Sequence, residues 1–161
     1  MDTVVDNPAR AFLERVISEA QFDIPLELTA GLSALGARLI NGCPGAIEVS
    51  YDVPETAIQG NGVVAGGTLM TMLDYAMAFA VLSKLSCGQT CATTSITVNM
   101  QAAVKPSRLK VSATVERVGR QVAFARAELF DPQRELLVAS ASATFFIMAV
   151  VHAQAAQSKK I

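Results

Sequence analysis

The segment from Gly66 to Leu82, GGTLMTMLDYAMAFAVL, is almost wholly apolar and holds one carboxylic acid, Asp74. An ionised carboxylate is costly among apolar side chains unless it is paired, hydrogen-bonded or neutralised, so Asp74 marks a position with a structural or chemical duty. A glycine pair, Gly66-Gly67, opens the segment. Without a Cβ, Gly66 lets a ligand approach its backbone closely. At a helix entrance its free N–H and the positive dipole end favour an oxyanion. Asp74 lies two turns further on, too deep to be a cap. Its carboxylate can act as a general base or as a nucleophile, and desolvation by apolar neighbours is the expected means of strengthening it as a base. An oxyanion donor and a carboxylate within one short stretch suit chemistry at a carbonyl group.

The bulk properties narrow what surrounds this pair. The chain has 161 residues, 52% hydrophobic and 17% charged, enough for one domain with a real core. A net charge of -1, with no basic cluster before Lys159-Lys160, argues against nucleic acid or an anionic membrane surface as a partner. The early acids in MDTVVDNPARAFLERV do not read as a secretory signal, so the expected compartment is the cytoplasm. Cys43, Cys87 and Cys91 are an odd count without framework spacing, as reduced intracellular thiols would be. Cys87 and Cys91 lack a second ligand pair, and the only histidine is His152 near the end of the chain, so no metal and no resident cofactor are expected. The apolar segment is short for a membrane span and carries a central acid, so no membrane partner is expected either.

The elements that must position these residues can be read from periodicity. Asn7-Pro8 suits a helix cap and first turn, followed by Phe12, Leu13, Val16 and Ile17 on one face. A strand is expected near residues 37–41. Another runs from Ile47 to Val53, where Ile47, Val49, Tyr51 and Val53 alternate with polar residues until Pro54. The Gly-rich loop QGNGVVAGG leads into a helix from about Thr68 to Leu85, apolar nearly all round and therefore expected to be enclosed, with Met70, Met72 and Met77 as core fillers. Four strand-like runs follow, at 95–102, 109–116, 122–130 and 136–148, with turns at VGRQ and DPQR. The expected class is α+β: an antiparallel sheet, closing in a four-strand meander, wrapped around a long central apolar helix. Residues 1–36 form a helix and lead-in, 37–150 the main domain, and 151–161 an expected disordered tail.

In its ordered pieces the chain resembles the hotdog fold. The carriers are NGVVAGG, the acid in LMTMLDYAMA, TTSITVNMQAAVKP, the hairpin VERVGRQVAFARAEL and the closing LLVASASATFF. The residues look like the phenylacetyl-CoA thioesterase-like branch of the 4-hydroxybenzoyl-CoA thioesterase superfamily, over roughly residues 47–146. That family carries a His-Gly-Gly loop, an acid on the following helix and a preceding amide. Here Gly66-Gly67 stand at the glycines, Asp74 at the acid and Gln59 at the amide, and Ala65 replaces the histidine.

The resemblance implies hydrolysis of an acyl-CoA thioester, with Asp74, Gly66 and Gln59 as catalytic residues. Asp74 would attack the thioester or orient a water, and Gln59 would hold the carbonyl or that water. It also implies a site shared between subunits, the acid from one and the glycine and amide from the other, in a homodimer or homotetramer. Gly67 and a hydroxyl from Thr93 or Thr94 would contact substrate. Lys105, Arg108, Arg117 and Arg120, near turns, are candidates for coenzyme A phosphates. The competing reading is a hotdog acyl-CoA binding protein with little or no catalysis, suggested by Ala65. A hotdog hydratase ranks last, because no histidine lies in the central domain.

Overall fold

A computed structural model describes residues 5–151; apart from Val151, the tail expected at 151–161 lies outside them. The elements are α1 (Pro8–Ser18), β1 (Ile24–Pro25), α2 (Ala30–Ala34), β2 (Arg38–Cys43), β3 (Ala46–Asp52), α3 (Gly66–Leu82), β4 (Gln89–Met100), β5 (Arg108–Val118), β6 (Val122–Asp131) and β7 (Leu136–Ala149). A 3₁₀ turn at Glu55–Ala57 lies between β3 and α3. The seven strands form one antiparallel sheet in the order β1-β2-β3-β5-β6-β7-β4. This is the hotdog arrangement, a sheet wrapped on one long helix.

The expected four-strand meander is corrected. Only β5, β6 and β7 follow one another across the sheet, whereas β4 crosses to the far edge and pairs with β7 from Gln89↔Ala149 to Met100↔Ala139. β4 is thus the outer strand, with its other edge unpaired among the described residues.

The inner face of the sheet is built for close approach. β6 contributes Ala123, Ala125 and Ala127, and β7 contributes Ala139, Ala141 and Ala143, all buried in the core shared with α3. Small side chains here bring helix and sheet together rather than opening a cavity for a substrate tail. Tyr51 of β3 is fully buried, and its hydroxyl donates to Met72 O at 3.0 Å, fixing the helix lengthwise on the sheet. At the other end Gly45, at φ +89°, turns β2 into β3 and donates its N–H to Ser83 Oγ at 2.8 Å.

α3 is not enclosed on every side. Met72, Leu73, Ala76 and Met77 are fully buried, but Gly67, Met70 and Thr71 are exposed and Asp74 and Ala78 are half-buried, one stripe at helical spacing. Met70, expected as core filler, is 39% exposed. The stripe lies on the side that this chain's own sheet leaves open.

α1 begins where expected: the Asn7 side chain accepts from Ala9 N–H and Arg10 N–H at 2.9 and 3.0 Å, with Pro8 in the first turn. Its buried Arg10 pairs with Asp6 and Glu14 and donates to Leu85 O at 3.2 Å, while Asp6 accepts from Gly88 N–H at 3.0 Å. The cluster ties α1 to the loop that feeds β4. Removing one partner of a buried pair leaves the other uncompensated, so Arg10→Ala is expected to lose about 3 kcal/mol, roughly 6–12 °C of melting temperature by calorimetry. The Arg10 hydrogen bond, helped by Gly88 and Asn7 N–H against the effect of burial, holds the Asp6 carboxyl well below its ordinary 3.8. A depressed acid stabilises fully above its unfolded value and progressively less as pH falls below it. The difference in melting temperature between wild type and Asp6→Asn is therefore expected to shrink below about pH 4.

Candidate active site

The loop before α3 is shaped by its backbone. Gln59 N–H donates to Val63 O (2.8 Å) and Gly62 N–H to Gln59 O (3.0 Å), closing a tight turn; Val64 N–H donates to Val104 O (2.8 Å) and Ala65 N–H to Ala57 O (2.9 Å). No side chain takes part in these four bonds, so the missing histidine leaves the loop ordered by other means. Ala65 is the N-cap residue, with its carbonyl accepting from Thr68 and Leu69 and no side-chain cap. An uncapped helix start leaves the N–H groups of Gly66 and Gly67 free, at the positive end of a 17-residue helix. Gln59 and Gly66 line one cleft of about 280 Å³ with Leu69, Met100 and Gln101. A Cβ built on Gly66 would lie 3.6 Å from Met100 Cε, which places the end of β4 against the helix entrance.

Asp74 is elsewhere. Eight residues of helix separate it from Gly66, ~12 Å along the axis at 1.5 Å per residue, and it does not line that cleft. Its Oδ1 accepts from Thr93 Oγ1 of β4 at 2.8 Å, leaving Oδ2 without a hydrogen-bond partner among the described residues. The expected enclosure is not supplied by its own chain, since Asp74 is only half-buried on the open stripe. Its surroundings are neutral: the Cys91 thiol is pushed up to about 12 by burial and by the Asp74 charge, and the buried Tyr51 hydroxyl is also held protonated, chiefly by burial. Cys91 belongs to no cluster of three metal-ligating side chains among the described residues.

The two threonines have different partners. A bulge interrupts the β4–β7 register between Thr93 and Ser95. Thr94, the extra residue, donates to Thr144 O at 3.1 Å and lies 2.9 Å from Thr144 Oγ1. Thr93 alone reaches the acid. Thr93→Val is expected to lower kcat about tenfold, the worth of one hydrogen bond to a charged group, and Thr94→Val to leave it within about twofold. Steady-state rates of the two variants check this.

The four basic candidates divide between opposite ends of the sheet. Lys105 and Arg108 flank the start of β5, at the end of the molecule where Met100 meets Gly66. Arg117 and Arg120 sit by the β5–β6 turn, at the other end. Arg108 is committed to Asp52, with Nε 2.8 Å from Oδ1 and Nη2 3.1 Å from Oδ2. Lys105, Arg117 and Arg120 have no acidic partner among the described residues.

Residues 61–138 match the thioesterase superfamily. Over that stretch the hotdog domain is similar to that superfamily. A Ralstonia eutropha protein, a candidate thioesterase related to phenylacetic acid degradation, is similar at 28% identity and a TM-score of 0.71, over 84% of this chain and 98% of its own. The E. coli PaaI protein, from the phenylacetic acid degradation operon, shares the fold at 22% identity and a TM-score of 0.73, over 86% and 95%. A candidate esterase of Deinococcus radiodurans is 34% identical over 95 residues, 59% of this chain, and the match spans 63% of that relative's length. The matched stretch of the hotdog domain contains Gly66, Asp74, Thr93 and Lys105 and ends at Val138, near the start of β7. No helix among the described residues of the hotdog domain is long and apolar enough to cross a membrane.

Proposed function

We propose that this protein hydrolyses acyl-CoA thioesters at a site completed by two copies of the chain. The observation that carries the reading is the separation within one chain. The free Gly66 N–H and the Gln59 amide share one cleft, whereas Asp74 stands ~12 Å along α3 on a stripe the chain leaves open. A second copy would close that distance. β4 is twelve residues long, lies at a sheet edge and ends in exposed Met100 (46%), and α3 exposes Met70 (39%). Such an edge is a ready template for strand addition and needs a cover.

One register meets the chemical demand. Across an antiparallel pair, directly opposite residues share a face of the sheet. Counting Thr94 out as the bulge, a two-fold at Thr97 sets Met100 opposite the partner's Thr93. The Gly66 cleft, against Met100, would then face the partner's Asp74. In that geometry Asp74 Oδ2 takes a proton from water as the oxygen adds to the thioester carbonyl carbon. Gly66 N–H donates a hydrogen bond to the carbonyl oxygen as it becomes negatively charged, and Gln59 orients the carbonyl or the water. The C–S bond then breaks, and the departing thiolate recovers the proton from Asp74. Direct attack by Asp74, giving a mixed anhydride, is the alternative; water attacking the Asp74 carbonyl of that anhydride in one turnover in ¹⁸O-water would place label in Asp74, which the general-base route never does. No metal or cofactor enters this scheme, and coenzyme A enters as part of the substrate.

The second reading, acyl-CoA binding without turnover, rests on Ala65, which offers no polar side chain at the helix cap. Thiol release from a panel of acyl-CoA esters separates the two: turnover supports hydrolysis, and tight binding without thiol release supports the binder. The register has its own test. Cβ atoms of opposed residues lie about 4.5–5.5 Å apart, within reach of a disulfide. Thr97→Cys is expected to give a covalent dimer on mild oxidation, above the background of the native cysteines, and Asn99→Cys is not. The reverse result would refute the register. We place the protein in the cytoplasm, a reading supported by three free thiols, two of them exposed.

A further inference from the structure

The Gly66 cleft does not end at Gln101. Val63 and Ala103, which form part of its wall, also line a larger cleft of about 490 Å³, so the two run into one another. The second cleft has a different chemistry. Lys105, Gln133 and Arg134 line it, with Ser107 on its wall. Neither cation has an acidic partner among the described residues, whereas Arg108, next in sequence to Ser107, is occupied by Asp52. The one carboxylate present, Asp131, is buried and accepts from Gln133 N–H and Arg134 N–H at 3.0 and 3.3 Å, so it builds the turn that presents both side chains. Ser107 Oγ is the only fully buried side-chain polar atom without a hydrogen-bond partner among the described residues. That atom is closed to the cleft, so the polar groups presented to a ligand there are Lys105, Gln133 and Arg134.

We infer that Lys105, Arg134 and Gln133 form a phosphate subsite at the far end of the groove that starts at Gly66. The thiol half of the substrate is then a long arm ending in phosphate, and that end is what this cleft selects. The inference rests on the thioesterase reading and extends it: it names Arg134 and Gln133, and assigns the phosphates to this end of the sheet rather than to Arg117 and Arg120. The groove joins the two ends of one ligand, an acyl carbonyl at the helix N-terminus and a dianion between two unpaired cations. Charge-assisted hydrogen bonds of this kind are the strong ones.

Calorimetric titration of the intact protein with free coenzyme A, pantetheine and inorganic phosphate tests this without requiring turnover. Wild type is expected to bind coenzyme A at least about tenfold more tightly than pantetheine, and Lys105→Gln/Arg134→Gln to remove most of that preference. Arg117→Gln/Arg120→Gln is expected to retain it. The inference is overturned if coenzyme A and pantetheine bind alike, or if the Lys105/Arg134 variant binds coenzyme A as wild type does. It is also overturned if the Arg117/Arg120 variant is the one that loses the preference, or if inorganic phosphate binds as tightly as coenzyme A, which would make the cleft an isolated anion site. Coenzyme A preference without thiol release from any ester would retain the subsite and reject hydrolysis.

Discussion

Asp74→Asn is expected to lower kcat for thioester hydrolysis by about 10²–10⁴, the usual worth of a positioned general base. The substitution keeps the shape of the side chain and its bond from Thr93 Oγ1, 2.8 Å away in the wild type, because an amide oxygen still accepts. What it removes is the ability to take a proton or to attack. The residue sits half-buried on an open stripe of α3 with no charged partner among the described residues, so its loss should cost the fold little. KM is expected to move less than threefold, since the acid acts on water or on the carbonyl carbon and not on the handle of the substrate. Equal rates for the variant and wild type, with melting temperature unchanged, would remove Asp74 from the mechanism.

Gly66→Pro is expected to lower kcat by about 10²–10³, the cost of deleting one oxyanion donor. Proline removes the N–H and little else here. Gly66 is the first helical residue, where a proline ring suits the helix and no intrahelical bond is lost. Ala65 before it has φ −63° and ψ 139°, the extended conformation that a following proline requires. A Cβ at Gly66 meets only Met100 Cε at an ordinary 3.6 Å. Gly66→Ala, which keeps the N–H, is the matched control and should retain most activity. If Gly66→Pro and Gly66→Ala behave alike while both fold, the donor is not this N–H.

Much of this is legible in the sequence alone. The apolar run singled out α3 and its acid, period-two alternation placed β3 and β5, and the VGRQ and DPQR turns bounded β6 and β7, because each of these signals is local. The position of β4 was not legible. Its alternation is as regular as that of β5, but which strand it joins is decided by contacts some fifty residues away, where β7 takes it and β5 does not. The bulge at Thr94 hid the choice between the threonines: an extra residue shifts the alternation by one, so the phase read from Ser95 onward does not carry back to Thr93. The apolar character of α3 also misled in one respect. Met70 is as hydrophobic as Met72, yet the sheet covers only the latter, and hydrophobicity alone does not say which face of the helix the sheet takes. Arg134 went unnoticed because a turn-forming DPQR gives its arginine no periodic context; only the adjoining clefts single it out.

The site as proposed takes its acid from one chain and its glycine from another. Mixing Asp74→Asn with Gly66→Pro, each inactive alone, under conditions that exchange subunits therefore tests it most directly. Random pairing puts an intact acid opposite an intact glycine in about a quarter of the sites, so about a quarter of wild-type activity should return. A mixture that stays as inactive as its parents, although tagged subunits prove that mixed dimers form, would mean that Asp74 and Gly66 do not meet across an interface.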